Sequence, residues 1–266
     1  MGIVEAVVLG LTQGLTEFLP ISSTAHLRLV PELLGWDDPG ASFTAVIQLG
    51  TIAAVLLAFR RDLAAVASAG WRGARNPQAR TSAPWRIAVA MYLGTIPIVV
   101  VGVLAADLVQ GPFRSLGVIA AALLVGSVWL SVAIRSTPGQ RRAADLSLRE
   151  VSVVGLAQAA SLVPGVSRSG ATIGAGLLIG LDAAEAARFS FLLSVPAIVL
   201  AGAYGLRDLG ADTPLIATSV ALTVAFGSGY ASIRVLLRLA ASRRLGGFVA
   251  YRIALSAVLF AVVATR

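Results

Sequence analysis

A short polar stretch near the start of the chain, EFLPISSTAH from Glu17 to His26, combines residue types that can do chemistry. It holds a carboxylate, two serines, a threonine and the single histidine of the protein. His26 lies one helical turn after Ser23, so the two side chains can share a site. His26 could act as general base, nucleophile or acid for a leaving group, and Ser23 is the alternative nucleophile, activated by His26.

A second polar stretch, VPGVSRSG, ends at Gly170 and contains Arg168. In both stretches a proline and then hydroxyl residues precede a new helical run, so the serines are candidate N-caps. Helix N-termini favour phosphate or carboxylate, and an arginine can grip phosphate oxygens with two parallel bonds. We therefore expect the two turns to bind one anion. Besides Arg168, the candidate binding residues are Ser22, Thr24, Ser167, Ser169 and Gly170.

An acidic side chain beside an anion site needs an explanation. Gln13 and Glu17 are four residues apart and share a helix face. A divalent cation, Mg²⁺ or Ca²⁺, held by these two residues and by phosphate oxygens would reconcile the charges, since hard cations prefer oxygen ligands. The alternatives are a structural Glu17–Arg168 ion pair, a structural His26 and serines that only cap helices.

These residues are set in a very apolar chain. Of its 266 residues 57% are hydrophobic and 13% charged, and the mean hydropathy is +0.87, which predicts an integral membrane protein. The net charge of +8 comes from arginines in short connections between apolar runs, as in cytoplasmic loops. We expect membrane lipids as partners and no nucleic acid. There is no cysteine, and therefore no disulfide or cysteine metal site.

Six apolar runs are long enough to cross a bilayer. They are residues 43–59, 85–106, 116–134, 189–206, 215–237 and 248–263. The basic loop at residues 60–86, with those near 135–149 and 238–244, predicts three cytoplasmic connections, while residues 107–115 and 207–214 should face outward. Two further apolar segments, residues 3–34 and 151–181, are interrupted at the polar stretches. Broken helices survive in a membrane only inside protein or beside a wet cavity, so we expect re-entrant hairpins.

The two broken segments also resemble each other. GLTQGLTEFLPISSTA aligns with GLAQAASLVPGVSRSG, and a phenylalanine-led apolar run follows each one. The predicted fold is an all-α integral membrane protein: one domain, residues 1–266, forming a polytopic helix bundle. It comprises two inverted-topology repeats, residues 1–134 and 151–266, each containing a re-entrant helical hairpin. The two turns would meet near the membrane midplane.

At these residues the chain resembles the undecaprenyl-diphosphate phosphatase family, whose members are also linked to bacitracin resistance. The similarity lies in QGLTEFLPISSTAHL, PGVSRSGAT, FTAVIQLGTIAAV and FSFLLSVP, and so runs over almost the whole chain. The resemblance implies hydrolysis of the C55 isoprenoid diphosphate with a divalent cation, in the cytoplasmic membrane and with the site open to its outer face. The matching positions are Gln13, Glu17, Ser22, Ser23, His26, Ser167, Arg168 and Ser169.

Many family members carry glutamate at the position of Gln13. An amide is a weaker metal ligand than a carboxylate, which leaves open how Gln13 and Glu17 share the coordination. The sequence also leaves open the nucleophile and whether a homodimer forms. The rival function is a lipid flippase or secondary transporter for a phosphorylated anion, since an inverted repeat is typical of transporters. A transporter would need neither Ser23 nor His26 as a reactive group.

Overall fold

The computed structural model describes residues 1–136, 139–207 and 214–265, and over these ranges the chain is helical with no strand. Its α-helices are α1 (Ile3–Glu17), α2 (Ser23–Leu34), α3 (Gly40–Ala58), α4 (Arg60–Arg75), α5 (Ala83–Leu104), α6 (Ala106–Gln110), α7 (Leu116–Arg135), α8 (Leu148–Ala160), α9 (Arg168–Leu178), α10 (Ala183–Arg207), α11 (Leu215–Ala241) and α12 (Gly246–Ala264). Short 3₁₀ turns occur at Pro77–Thr81, Pro112–Arg114 and Ala143–Asp145.

Six helices within the described ranges, α3, α5, α7, α10, α11 and α12, are long and apolar enough to cross a membrane. They coincide with the six apolar runs predicted from the sequence, which confirms an all-helical, multi-pass membrane architecture. The predicted outward connection at residues 207–214 lies almost entirely outside the described residues.

The basic loop predicted at residues 60–86 is mostly helical: α4 spans Arg60–Arg75 and a 3₁₀ turn follows it. The segment is too charged to cross a membrane, yet its many alanines and arginines favour a helix. One side of α4 packs on α5 where Gly73 meets Trp85, and a Cβ added at Gly73 would lie 2.3 Å from Trp85 Cε3. The loop predicted from the sequence is therefore wrong over residues 60–75, because a charged segment can still form an amphipathic helix.

Each of the two interrupted apolar segments forms a helix, a short turn and a second helix. The first pair is α1 and α2, and the second is α8 and α9. Pro20 and Pro164 lie in the turns. Proline has no N–H to donate and disfavours the helical conformation in the residue before it, so neither break can close into a continuous helix.

Helix packing follows a paired pattern in the two halves of the chain. The first helix of each broken segment packs on a long helix from the other half of the chain, α1 on α11 and α8 on α5. Glycines allow both approaches: a Cβ at Gly14 would lie 2.6 Å from the Ala225 carbonyl oxygen, and one at Gly155 would lie 2.8 Å from that of Gly94. The helices α3 and α10 pack together, as do α7 and α12.

Candidate active site

The carboxylate of Glu17, at the last residue of α1, is the point where the two turns meet. Its Oε2 accepts hydrogen bonds from Ser23 Oγ at 2.7 Å and from Gln13 Nε2 at 2.8 Å. Its Oε1 accepts from Arg168 Nη2 at 2.5 Å. Ser23 and Arg168 are the first residues of α2 and α9, so two helix N-termini converge on one buried carboxylate.

The residues just before these helices, Ser22 and Ser167, form two nearly identical caps. Both are the N-cap, and both have a φ of 71°, which non-glycine residues rarely adopt. Each Oγ accepts from the backbone N–H three residues later, at Ala25 (3.4 Å) and Gly170 (3.2 Å), and lies near the hydroxyl two residues later, at Thr24 (3.0 Å) and Ser169 (3.2 Å). The predicted capping role is confirmed for Ser22 and Ser167, whereas Ser23 and Ser169 lie within the first turns of α2 and α9.

The turns also touch each other directly. Ser169 Oγ donates to the backbone carbonyl of Leu19 in the first turn, at 3.1 Å. Arg168 reaches a third element by donating from Nη1 to the Ser194 carbonyl on α10 at 3.4 Å. The side chains of Ser167, Ser169 and Glu17 are buried. Of the residues predicted to bind an anion, Arg168 and Ser169 contact the first broken segment, at Glu17 and Leu19. In the described part of the chain the hydrogen bonds given above for the others stay within their own segment; these residues are Ser22, Thr24, Ser167 and Gly170.

The ring of His26 is held at both nitrogens. Nδ1 lies 2.8 Å from the Ser22 carbonyl oxygen, which can only accept, so Nδ1 carries a proton. In the neutral ring Nε2 therefore accepts from the Tyr251 hydroxyl at 2.7 Å. No hydrogen bond joins His26 to Ser23 in the part of the chain that the structure describes; the Ser23 hydroxyl is directed to Glu17. His26 thus bonds Ser22 in the first turn and Tyr251 on α12, and the side chain bonded to the Ser23 hydroxyl is the carboxylate of Glu17.

Sequence reasoning missed two neighbouring residues of α12, Tyr251 and Arg252. Tyr251 bonds His26, and the guanidinium of Arg252 is completely buried and contacts both turns. Both residues fall within the apolar run 248–263, whose composition is that of an ordinary membrane span. A charged side chain inside such a run was the available signal, since ionisable residues at depth are costly and rarely lack a function.

The far end of the second broken segment is fixed by a charge cluster. Arg141 Nη1 contacts Glu150 Oε1 at 2.5 Å, in the first turn of α8, and donates to the Ile179 carbonyl at 3.0 Å, just after α9. This ties the two ends of the α8–α9 pair together. Hydrogen bonds from Arg141 and Ser147 lower the pKa of Glu150 to about 2.

The donor atoms near Glu17 fit a divalent cation that arrives with a phosphate. The Oε1 of Gln13 is buried and has no hydrogen-bond partner among the described residues, so an oxygen ligand is available next to the carboxylate. The same residues contain no group of three His, Cys, Asp or Glu side chains able to enclose a metal ion. Mg²⁺ is commonly held by one or two protein oxygens with phosphates and water completing its shell, which is the arrangement these donors allow.

The profile of the family described as bacitracin resistance protein BacA matches residues 6–258. This span includes both turns, most of α12, and Glu17 with the three residues bonded to it, Gln13, Ser23 and Arg168, here called the Glu17 cluster. The chain belongs to the BacA family. A curated relative from Myxococcus xanthus, named undecaprenyl-diphosphatase, is 46% identical over 268 residues, which cover 100% of this chain and 90% of that protein. Undecaprenyl-diphosphatase 2 of Streptomyces avermitilis is 46% identical over 98% of this chain and 94% of its own length.

The BacA resemblance predicted from the motifs is therefore confirmed. A more distant relative, the undecaprenyl-diphosphatase of Prosthecochloris aestuarii, is 42% identical over 100% of this chain and 98% of its own. This BacA family member matches its relatives over nearly their full lengths, so the comparison covers the whole bundle as well as the motifs. The assignment of individual residues to chemical roles depends on the geometry described above.

Proposed function

We propose that this protein is a membrane phosphatase that hydrolyses undecaprenyl diphosphate to undecaprenyl phosphate and inorganic phosphate. The observation that carries the proposal is the shared contact of Ser23 and Arg168 with Glu17. A serine hydroxyl, a carboxylate and a guanidinium are in contact there at two converging helix N-termini, and these groups could serve as nucleophile, base and phosphate-binding group. Relatives of the BacA family that are named for this activity support the choice of substrate.

In the proposed reaction Arg168 and the two capped N-termini hold the terminal phosphate. The Ser23 oxygen forms a bond to the terminal phosphorus, the bond from phosphorus to the bridging oxygen breaks, and undecaprenyl phosphate leaves. The hydroxyl proton passes to Oε2 of Glu17, 2.7 Å away. Water then attacks the phosphoserine, releasing inorganic phosphate and restoring Ser23. Charge stabilisation by positioned donors supplies most of the rate gain in phosphoryl transfer.

We further propose that a divalent cation, Mg²⁺ or Ca²⁺, takes part. Gln13 Oε1 and the Glu17 carboxylate would hold it together with diphosphate oxygens. Bound there, the cation neutralises charge on the phosphates. Arg168 would leave Glu17 when it turns to the phosphate, and the Oε1 of Glu17 would then be free to bind the cation.

The membrane arrangement we propose has two inverted-topology repeats, residues 1–134 and 151–266, within one domain. The matching caps at Ser22 and Ser167 support it, and so does the exchange of packing partners between α1 and α8. The α1–α2 and α8–α9 pairs would be re-entrant hairpins that enter from opposite sides and meet at Glu17. Their length, well below that of a full span per helix, fits this arrangement.

The isoprenoid tail of the substrate would lie between helices in the bilayer, with the diphosphate in a site open to the outer face of the bacterial cytoplasmic membrane. Hydrolysis there would recycle the carrier lipid for cell-wall synthesis and confer resistance to bacitracin.

Phosphate release from undecaprenyl diphosphate by the purified protein tests the proposal. Wild-type turnover with loss in Glu17→Gln and Ser23→Ala is expected, together with a phosphorylated Ser23 peptide in acid-quenched wild-type samples. A transporter or flippase would release no phosphate, and that result would reject the phosphatase. Turnover without phosphoserine in a rapid-quench series would instead point to direct attack by water.

A further inference from the structure

Arg252 is a buried arginine that contacts no carboxylate among the described residues. Its guanidinium donates hydrogen bonds to five acceptors. These are the carbonyl oxygens of Pro20 (3.1 Å), Leu123 (3.2 Å), Gly165 (3.1 Å) and Val166 (3.1 Å), and Ser127 Oγ (3.2 Å). One acceptor lies in the first turn, two lie in the second, and two lie on α7. A single side chain of α12 therefore joins three separate segments.

The carbonyl oxygens of Pro20, Gly165 and Val166 need a hydrogen-bond donor from outside their own turns. Pro20 lies beyond the end of α1, and Gly165 and Val166 lie beyond the end of α8, so their carbonyls take no part in those helices. Both breaks lie deep in the bundle, where lipid and packed side chains offer no hydrogen-bond donor. Bonds from an ionised donor are stronger than bonds between neutral groups. One guanidinium can serve several carbonyls because it presents five N–H groups in a fixed plane.

We propose that Arg252 is a positioning residue for the reaction: by bonding the carbonyls of both turns it fixes their relative placement, and so brings Ser23 and Arg168 to the same carboxylate. The inference rests on the proposed function for its kinetic consequences only. Arg252 also lies beside the N-terminal residues of α9, where a Cβ added at Gly170 would be 3.2 Å from Arg252 Nη1. With Arg168 it places two positive charges against the one negative charge of Glu17, a balance that suits an anionic ligand.

The space for this side chain is provided by Gly126 on α7. A Cβ added at Gly126 would lie 2.1 Å from Arg252 Nη2 and 2.9 Å from the Val166 carbonyl oxygen. Gly126→Ala therefore displaces the guanidinium while leaving residue 252 unchanged. It is an independent way to disturb the same contact.

The test compares Arg252→Lys and Arg252→Gln with Ser256→Ala as the control. Ser256, one turn further along α12, is buried and bonds α7 through the Ala120 carbonyl at 2.7 Å, and among the described residues its side chain makes no hydrogen bond to either turn. Two quantities are measured in detergent or nanodiscs: kcat and KM for phosphate release, and hydrogen exchange of the backbone amides in the two turns. Hydrogen exchange does not depend on activity.

Both arginine variants should lose about 100-fold in kcat, the scale of a 1 Å misplacement, with a much smaller change in KM. Amides of both turns should exchange faster while those of α3 and α10 keep their protection, and Ser256→Ala should behave as wild type in the turns. Arg252→Lys keeps the charge but not the planar set of donors, so the lysine should not restore turnover.

Wild-type kcat in Arg252→Lys and Arg252→Gln overturns the proposal, and so does a loss of kcat with unchanged exchange in the turns, which would assign Arg252 a purely electrostatic role. If Arg252→Gln does not fold, Gly126→Ala decides by the same two readouts. If the wild type itself releases no phosphate, the proposed function fails, while faster exchange in the turns of the variants still tests the bracing by Arg252.

Discussion

Ser23 donates its hydroxyl hydrogen to Glu17 across 2.7 Å, joining the first residue of α2 to the last residue of α1. The two residues lie on opposite sides of the first break, so the turn itself creates the pair. An unbroken helix would place them more than a full turn apart along its axis. The reactive geometry is therefore a property of the interruption.

If this pair does the chemistry, both partners are essential for turnover. We expect Ser23→Ala and Glu17→Gln each to lower kcat by about 10²- to 10⁴-fold, the range for loss of acid–base assistance. Ser152→Ala is a matched control, since that exposed serine bonds only the Leu148 carbonyl within its own helix. Steady-state phosphate release measures all three. Retention of wild-type turnover in Ser23→Ala would exclude Ser23 as the nucleophile.

The contact of Tyr251 with His26 separates two roles for the histidine. Tyr251→Phe removes the bond to Nε2 and leaves the aromatic ring in place. If His26 supports the first turn, kcat should fall about fivefold, the equivalent of one lost hydrogen bond. If Nε2 were the catalytic base, releasing it from the tyrosine should raise activity instead. Rates of the two proteins at saturating substrate distinguish these outcomes, and Tyr92→Phe, on the exposed side of α5, controls for loss of a hydroxyl.

Replacing the amide of Gln13 by a carboxylate should strengthen cation binding. In Gln13→Glu the orphaned oxygen becomes part of an anionic ligand next to Glu17, so the Mg²⁺ concentration that gives half-maximal phosphate release should fall. Mn²⁺ binding followed by electron paramagnetic resonance gives a readout independent of turnover. The isosteric Gln158→Glu, at the corresponding position of α8, is the control. Equal cation dependence in wild type and Gln13→Glu would remove Gln13 from the ligand set.

The positive φ at Ser167 predicts how alanine and glycine substitutions there change the stability of the protein. Ser167→Ala loses the cap and keeps a Cβ in an unfavourable backbone region, whereas Ser167→Gly loses the hydroxyl but relieves the backbone. We expect the glycine variant to be about 1 kcal/mol more stable than the alanine variant. Thermal unfolding in detergent compares them. The reverse order would show that the backbone at this serine carries no strain.

Acid should weaken the ion pair between Arg141 and Glu150, which helps to join the two ends of the α8–α9 pair. The pKa of Glu150 is lowered to about 2, so its contribution to stability is fully present above the unfolded value of 4.5 and is lost as the pH falls from there toward 2. Glu150→Gln cannot titrate. The drop in melting temperature between pH 7 and pH 3 should therefore be smaller in Glu150→Gln than in wild type, measured by differential scanning fluorimetry. Identical drops would contradict the assignment.

The broken helices and their caps were predictable because proline and serine act locally, within the few residues that precede each new helix. The six apolar helices followed from length and hydropathy alone. Tyr251 and Arg252 were not predictable in this way, since their partners lie more than 80 residues away and depend on how α12 packs against α7. Nor could the sequence predict whether Ser23 bonds His26 or Glu17. Both lie close to Ser23 in the chain, and only the folded turn brings Glu17 within hydrogen-bond distance.

Arg252 lies in α12, which follows both broken segments in the chain, and this order has a consequence for synthesis. A ribosome completes both broken segments well before α12 emerges, and until then the carbonyls of Pro20, Gly165 and Val166 lack the donor that later joins them. In a nascent chain both turns therefore lack this donor until α12 is inserted. A chain truncated before α12 would hold every residue of the Glu17 cluster and still lack the group that aligns it.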